Sequence, residues 1–82
     1  MKRYTVETQL VQAPGTIRSN CNSIIFINKS GPGVVVSVNG YPIGPDEFSL
    51  DGGNFDEINE TVYNVTANAA NFTLYIKRKL FL

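Results

Sequence analysis

The chain reads as an all-β protein, a single small antiparallel β-sandwich or barrel, jelly-roll-like or immunoglobulin-like, spanning residues 1–82. Three observations predict this. Apolar and polar residues alternate with period two in several short runs, and no segment sustains a helical period. Asn39-Gly40 lies between Val34–Val38 and Tyr41–Ile43, and Asn-Gly supplies the two positive-φ positions of a tight hairpin turn. The 7 Gly and 4 Pro fall mostly where the runs break.

Each element follows from its residues. Tyr4, Val6, Thr8 and Leu10 alternate with Thr5, Glu7 and Gln9, which predicts a half-buried strand with Tyr4, Val6 and Leu10 inward. Ala13-Pro14-Gly15 ends it. Thr16–Asn22 reads as a connection with room for a short edge strand. Ser23–Asn28 is apolar on both faces and predicts a central strand of the core. Lys29–Gly33 is a loop by its Gly and Pro content. Pro42 cannot donate to a ladder, so Tyr41–Ile43 is an edge strand. The break at Gly44-Pro45-Asp46 leads into a strand over Glu47–Leu50, with Phe48 and Leu50 on one face. Asp51–Asn54 turns the chain, and Phe55 and Ile58 are the expected anchors of an acidic, irregular segment. Thr61–Ala67 is rich in β-formers. Phe72, Leu74 and Ile76 then open a final strand that runs on toward Leu82.

Composition removes most chemistry. There is no histidine, and Cys21 is the single cysteine, so neither an intrachain disulfide nor a Cys/His metal site can form. Nucleophile-and-base catalysis lacks raw material, and a domain this small has little room for the cleft that paired carboxylates need. The expectation is therefore a protein that is not an enzyme and carries no cofactor or metal. The segment Asp51–Glu57 loosely resembles a calcium loop but lacks the spacing of one, and is read as a solvated turn. The Asn-x-Ser/Thr triplets at Asn28, Asn59, Asn64 and Asn71 are read as strand and turn composition.

Charge is balanced, 7 Lys+Arg against 7 Asp+Glu, which argues against a nucleic-acid partner. Lys77, Arg78, Lys79 and Tyr75 could contact a single strand, but the acidic middle of the chain opposes it. Basic residues gather at the ends (Lys2, Arg3, Lys77, Arg78, Lys79), and acids between Asp46 and Glu60. This predicts opposed charge regions that could join neighbouring copies. No apolar run approaches the ~20 residues of a membrane span, and the N-terminus lacks the continuous apolar segment of a secretion signal. A cytoplasmic origin is expected.

A small domain without staples is marginal on its own and gains by burying surface against other chains. The last residues, Leu80-Phe81-Leu82, are all large and apolar, each worth roughly 1.5–3 kcal/mol when fully buried. Leu80 and Leu82 are expected to close the domain's own core. Phe81, on the opposite face, is the candidate intersubunit anchor, with Lys77, Lys79 and Val11 as further candidate interface residues. Tyr41 and Tyr63 are candidate ligand contacts where exposed, although single tyrosines of this kind are usually half-buried packing residues, and that reading carries more weight.

The string Val38–Leu50, VNGYPIGPDEFSL, followed by a polar turn and by Asn64-Val65-Thr66, resembles small β-sandwich virion proteins of phages that infect Bacteroidetes-type bacteria. The resemblance covers roughly the second half of the chain, rests on a turn pattern, and transfers no site residues. It implies a non-enzymatic structural component of a viral particle: a capsid, penton, decoration or spike-base protein. Such a protein would act by protein–protein assembly, as a homo-oligomer and/or with a larger coat protein, and would reside in the virion after assembly in the host cytoplasm. The alternative is a receptor- or carbohydrate-binding module that uses Tyr41 and Tyr63.

Overall fold

The computed structural model describes residues 3–53 and 56–82. Eight strands run in the order β1 (Tyr4–Val11), β2 (Gly15–Arg18), β3 (Ser23–Asn28), β4 (Val36–Val38), β5 (Tyr41–Ile43), β6 (Phe48–Gly52), β7 (Val62–Ala67) and β8 (Leu74–Phe81). They form two four-stranded sheets, ordered β1-β8-β3-β6 and β2-β7-β4-β5. Every pairing is antiparallel. Strands 1 and 8, 2 and 7, 3 and 6, and 4 and 5 pair as one long hairpin, which rolls up until β3 meets β8 and β4 meets β7. That is jelly-roll topology.

Turn chemistry sets the hairpin tip. Asn39 and Gly40 both have positive φ, 49° and 81°, as a type I′ turn between β4 and β5 requires. Gly52 also has positive φ, and a Cβ there would collide with the Asn22 carbonyl oxygen, so the end of β6 depends on a residue without a side chain. Two predicted strands start later than their apolar runs. Val34 and Val35 donate to Gly31 and to Asn68 Oδ1 rather than to a ladder. Thr73 exchanges hydrogen bonds with Lys29 and Ser30, so Phe72 and Thr73 belong to the loop contact below β8.

The core lies between the sheets. Ile24, Phe26, Leu74 and Ile76 from the first sheet meet Val36, Val38, Ile43, Tyr63 and Val65 from the second. The Phe26 and Tyr63 rings meet edge to face, 4.9 Å between centroids at 66°. Buried polar groups close the layer's ends. Asn28 Nδ2 donates to the Val34 and Ile43 carbonyls, both at 2.9 Å, and its Oδ1 accepts from the Ser30 amide at 3.0 Å. Among the described residues no buried side-chain polar atom lacks a partner.

Several expectations change. Tyr4, Val6 and Leu10 face outward and are exposed. Ile58 is about half exposed rather than a core anchor, because backbone pairing with Cys21 holds its loop at the surface. Phe55, Asn54 and Lys2 lie outside the described residues. Leu82 is 78% exposed and closes no core. Tyr63 is buried, not exposed. Nor are the charge regions opposed. The acidic loop is tied to Cys21 and Asn22, and the Asn22 amide donates to the carbonyl of Lys79, so basic and acidic segments meet at one end.

Candidate interaction face

Directly opposed residues in an antiparallel ladder project to the same side. In the first sheet, register places Ile24, Phe26, Leu74 and Ile76 on the side facing the second sheet. The edge strands then follow. Gln9 and Val11 oppose Ile76 and Leu74, so Glu7, Gln9 and Val11 point inward. Ser49 and Asp51 oppose Phe26 and Ile24, so they too point inward. Both edge strands are thus largely inverted relative to an ordinary sandwich, with most of their polar residues inside and most of their apolar residues outside; Val11, inside, and Thr8, outside, depart from this.

The second sheet is as many strands wide as the first but its strands are shorter, which leaves inner positions of the first sheet's edge strands open to water. β2 has four residues and β5 three, against eight in β1 and five in β6. From β2 the contact reaches β8, where Arg78 Nε and Nη2 donate to the Arg18 carbonyl at 3.1 and 2.9 Å. Thr5 and Glu7 on β1 remain in water. The Arg78–Glu7 pair, 3.4 Å apart, spans that margin. On the other flank, Asp51 accepts from the Tyr63 hydroxyl at 2.9 Å, which in turn accepts from Asn59 Nδ2 at 2.8 Å.

The outward side of the first sheet has the opposite character. Tyr4, Val6 and Leu10 from β1, Tyr75 from β8, and Phe48 and Leu50 from β6 are all exposed there, Phe48 at 67%. Between them Ile25, Ile27 and Phe81 are half-buried. Leu10, Tyr75, Ile27 and Phe48 form one apolar row across all four strands, and in the neighbouring rows Thr8, Ser23, Lys77 and Lys79 stand among the apolar residues. The outward positions of the second sheet, by contrast, are mostly polar, with Thr16, Arg18, Ser37, Asn64 and Thr66 beside the apolar Pro42 and Val62.

Lys77 and Lys79 stand on β8 in the interior of this apolar face. Lys79 Nζ lies 4.2 Å from the Tyr4 ring centroid and 5.0 Å from that of Phe81, and those two rings meet edge to face at 6.1 Å. Beside Lys77 a shallow recess of about 410 Å³ is floored by Ile27 and Tyr75 and rimmed by Thr8, Lys29 and Lys77.

The sequence-predicted interface residues divide. Phe81, Lys77 and Lys79 share the apolar outer face. Val11 does not join them: it turns inward, half-buried against the core. Tyr41 and Tyr63 line one recess of about 400 Å³ with Phe26, Asn39 and Asp51. Tyr41 is exposed there, whereas the Tyr63 ring is packed and its hydroxyl is taken by Asp51 and Asn59. Tyr4, Val6, Leu10, Phe48 and Leu50 are the face residues that sequence reading missed, whereas Tyr75 is one it already names with Lys77 and Lys79. Their signal was Ser23–Asn28, a strand apolar on both sides and so one that calls for cover on both.

Burial raises the Cys21 thiol above its ordinary value of 9.0, against a lowering by Arg78 and by hydrogen bonds. Burial likewise raises Tyr63 above 10.0, with Asn59 lowering it and Asp51 raising it further. Each folded-state value exceeds the unfolded one, so the associated stability is complete below the unfolded pKa and is lost as pH climbs toward the folded one. Unfolding free energy should therefore hold through neutral pH and fall above about pH 9. Tyr63→Phe should remove the part of that fall above about pH 10, read by urea unfolding at stepped pH.

Among the described residues no group of three or more His, Cys, Asp or Glu could hold a metal ion. Among the described residues no helix is long and apolar enough to cross a membrane. Comparison with protein-family models, with curated proteins and with solved structures finds no match for this chain.

Proposed function

We propose that this protein is a non-enzymatic structural component of a viral particle that acts by docking the outer face of its first sheet onto another protein chain. One observation carries the docking: large apolar side chains from β1, β6 and β8 stand exposed together on a single sheet face. Monomeric soluble proteins rarely leave so continuous an apolar surface in water. Inverted edge strands make it a property of the sequence pattern, since Tyr4, Val6 and Leu10 on one edge and Phe48 and Leu50 on the other all project outward.

Support for the viral setting comes from two other directions. The Val38–Leu50 pattern resembles small phage virion proteins, and β4, the Asn39-Gly40 turn, β5 and the start of β6 carry it. Jelly rolls of eight strands are a recurrent architecture of viral coat domains, although lectins and cupins use them too.

Incorporation into particles tests the reading. Wild-type protein should co-sediment with assembled particles of its source, and Leu50→Asp, which charges the outer face without touching the core, should remain in the soluble fraction. Equal incorporation of Leu50→Asp, or wild-type protein that never sediments, would overturn it.

A further inference from the structure

The outer face selects what it docks against, and its two central lysines do the selecting. Lys77 and Lys79 sit two residues apart on β8, an interior strand of the sheet, so they lie within the apolar field and not at its rim. The acids carried by the strands of this sheet are Glu7 and Asp51, and both project to the other side. No carboxylate from these strands therefore stands beside the two ammonium groups. Lys29, at the edge of the recess, is already held by Asp46 at 3.1 Å.

Two copies docked by this face about a twofold axis would bring four ammonium groups into one apolar interface with no carboxylate from the sheet's own strands to answer them. Like charges enclosed that way weigh heavily against a complex. A partner that is apolar and also bears carboxylates meets no such obstacle. Charge-assisted bonds to Lys77 and Lys79 would satisfy both sides, and the Ile27–Tyr75 floor of the recess would take the apolar part. We infer that the outer face is built for a different polypeptide, one presenting an apolar surface with carboxylates over Lys77 and Lys79, and not for a second copy of this chain. This inference rests on the docking reading above and narrows its partner from a homo-oligomer or a larger coat protein to the latter kind.

The chain can be made to imitate its own partner. Lys77→Glu with Lys79→Glu retains the apolar field and puts carboxylates in place of the exposed Lys77 and half-buried Lys79 ammonium groups; it gives up the Lys79 contacts with the Tyr4 and Phe81 rings but leaves the core untouched, so the fold, checked by circular dichroism, should be retained. Wild type alone and the double variant alone should each remain monomeric by light scattering at tens of micromolar. An equimolar mixture should form a one-to-one complex at least tenfold tighter than either self-association, weakened by 1 M salt and abolished by Phe48→Asp in either member. A wild-type dimer that Phe48→Asp dissolves would overturn the inference while leaving face-mediated assembly standing. A mixture that stays monomeric would overturn the claim that carboxylates complete the face. Particle incorporation, measured separately, reports on the docking reading itself.

Discussion

Asn28→Ala should cost this domain a large part of its stability, on the order of 3–5 kcal/mol in urea unfolding. Asn28 is fully buried at the end of β3. Its amide serves the Val34 and Ile43 carbonyls and its oxygen serves the Ser30 amide, so one side chain fixes the loop before β4, the end of β5 and the loop after β3. Its own backbone completes the set, donating to Glu47 and accepting from Asp46. Truncation orphans two carbonyls and one amide at ~1–3 kcal/mol apiece, less where water can enter beside Val34. An 82-residue domain at ~0.05–0.15 kcal/mol per residue holds only about 4–12 kcal/mol in total. Asn28→Asp should be no better, because a carboxylate cannot donate to the two carbonyls. A loss below about 1 kcal/mol for Asn28→Ala would mean that the loops hold themselves in place.

Two phenylalanines on opposite sides of the same sheet should part company. Phe26→Ala empties a fully buried site against Tyr63, and a truncation of that size in a core typically costs ~3–5 kcal/mol. Phe48→Ala removes a ring that is two-thirds in water and should change stability by less than about 0.5 kcal/mol. The order reverses for association: Phe48→Ala should weaken capture by the partner, as large aromatic anchors dominate interfaces. Paired denaturation curves and particle incorporation measure both halves. Comparable destabilisation by the two variants would mean that the outer face is part of the folding core.

Strand positions were legible because local chemistry fixes them. Asn39-Gly40 can close a hairpin by its own torsions, Pro42 excludes Tyr41–Ile43 from a sheet centre, and Ser23–Asn28 has no polar side to wet. Which side of β1 or β6 faces the core was not legible. Alternation says that Tyr4, Val6 and Leu10 share a side but not whether that side looks in or out, and hydrophobicity pointed the wrong way. The answer lies in strand length: β2 and β5 are too short to roof the edges of the first sheet, so Glu7, Gln9, Ser49 and Asp51 can face inward at the margins. For Tyr63 the packing role was legible but its partners were not: its burial depends on Phe26 and its hydroxyl on Asp51 and Asn59, none of them in β7.

Inverted edges also bear on how the molecule behaves before it meets anything. Most chains hide their greasy segments once they fold, and from then on are safe from their neighbours. Here folding gathers Tyr4, Leu10, Phe48 and Leu50 from distant parts of the sequence into one plane and leaves them on display. The finished molecule is thus stickier than an ordinary native protein. Folded and still monomeric, it should bind a hydrophobic dye, and the polypeptide that shelters that plane should displace the dye.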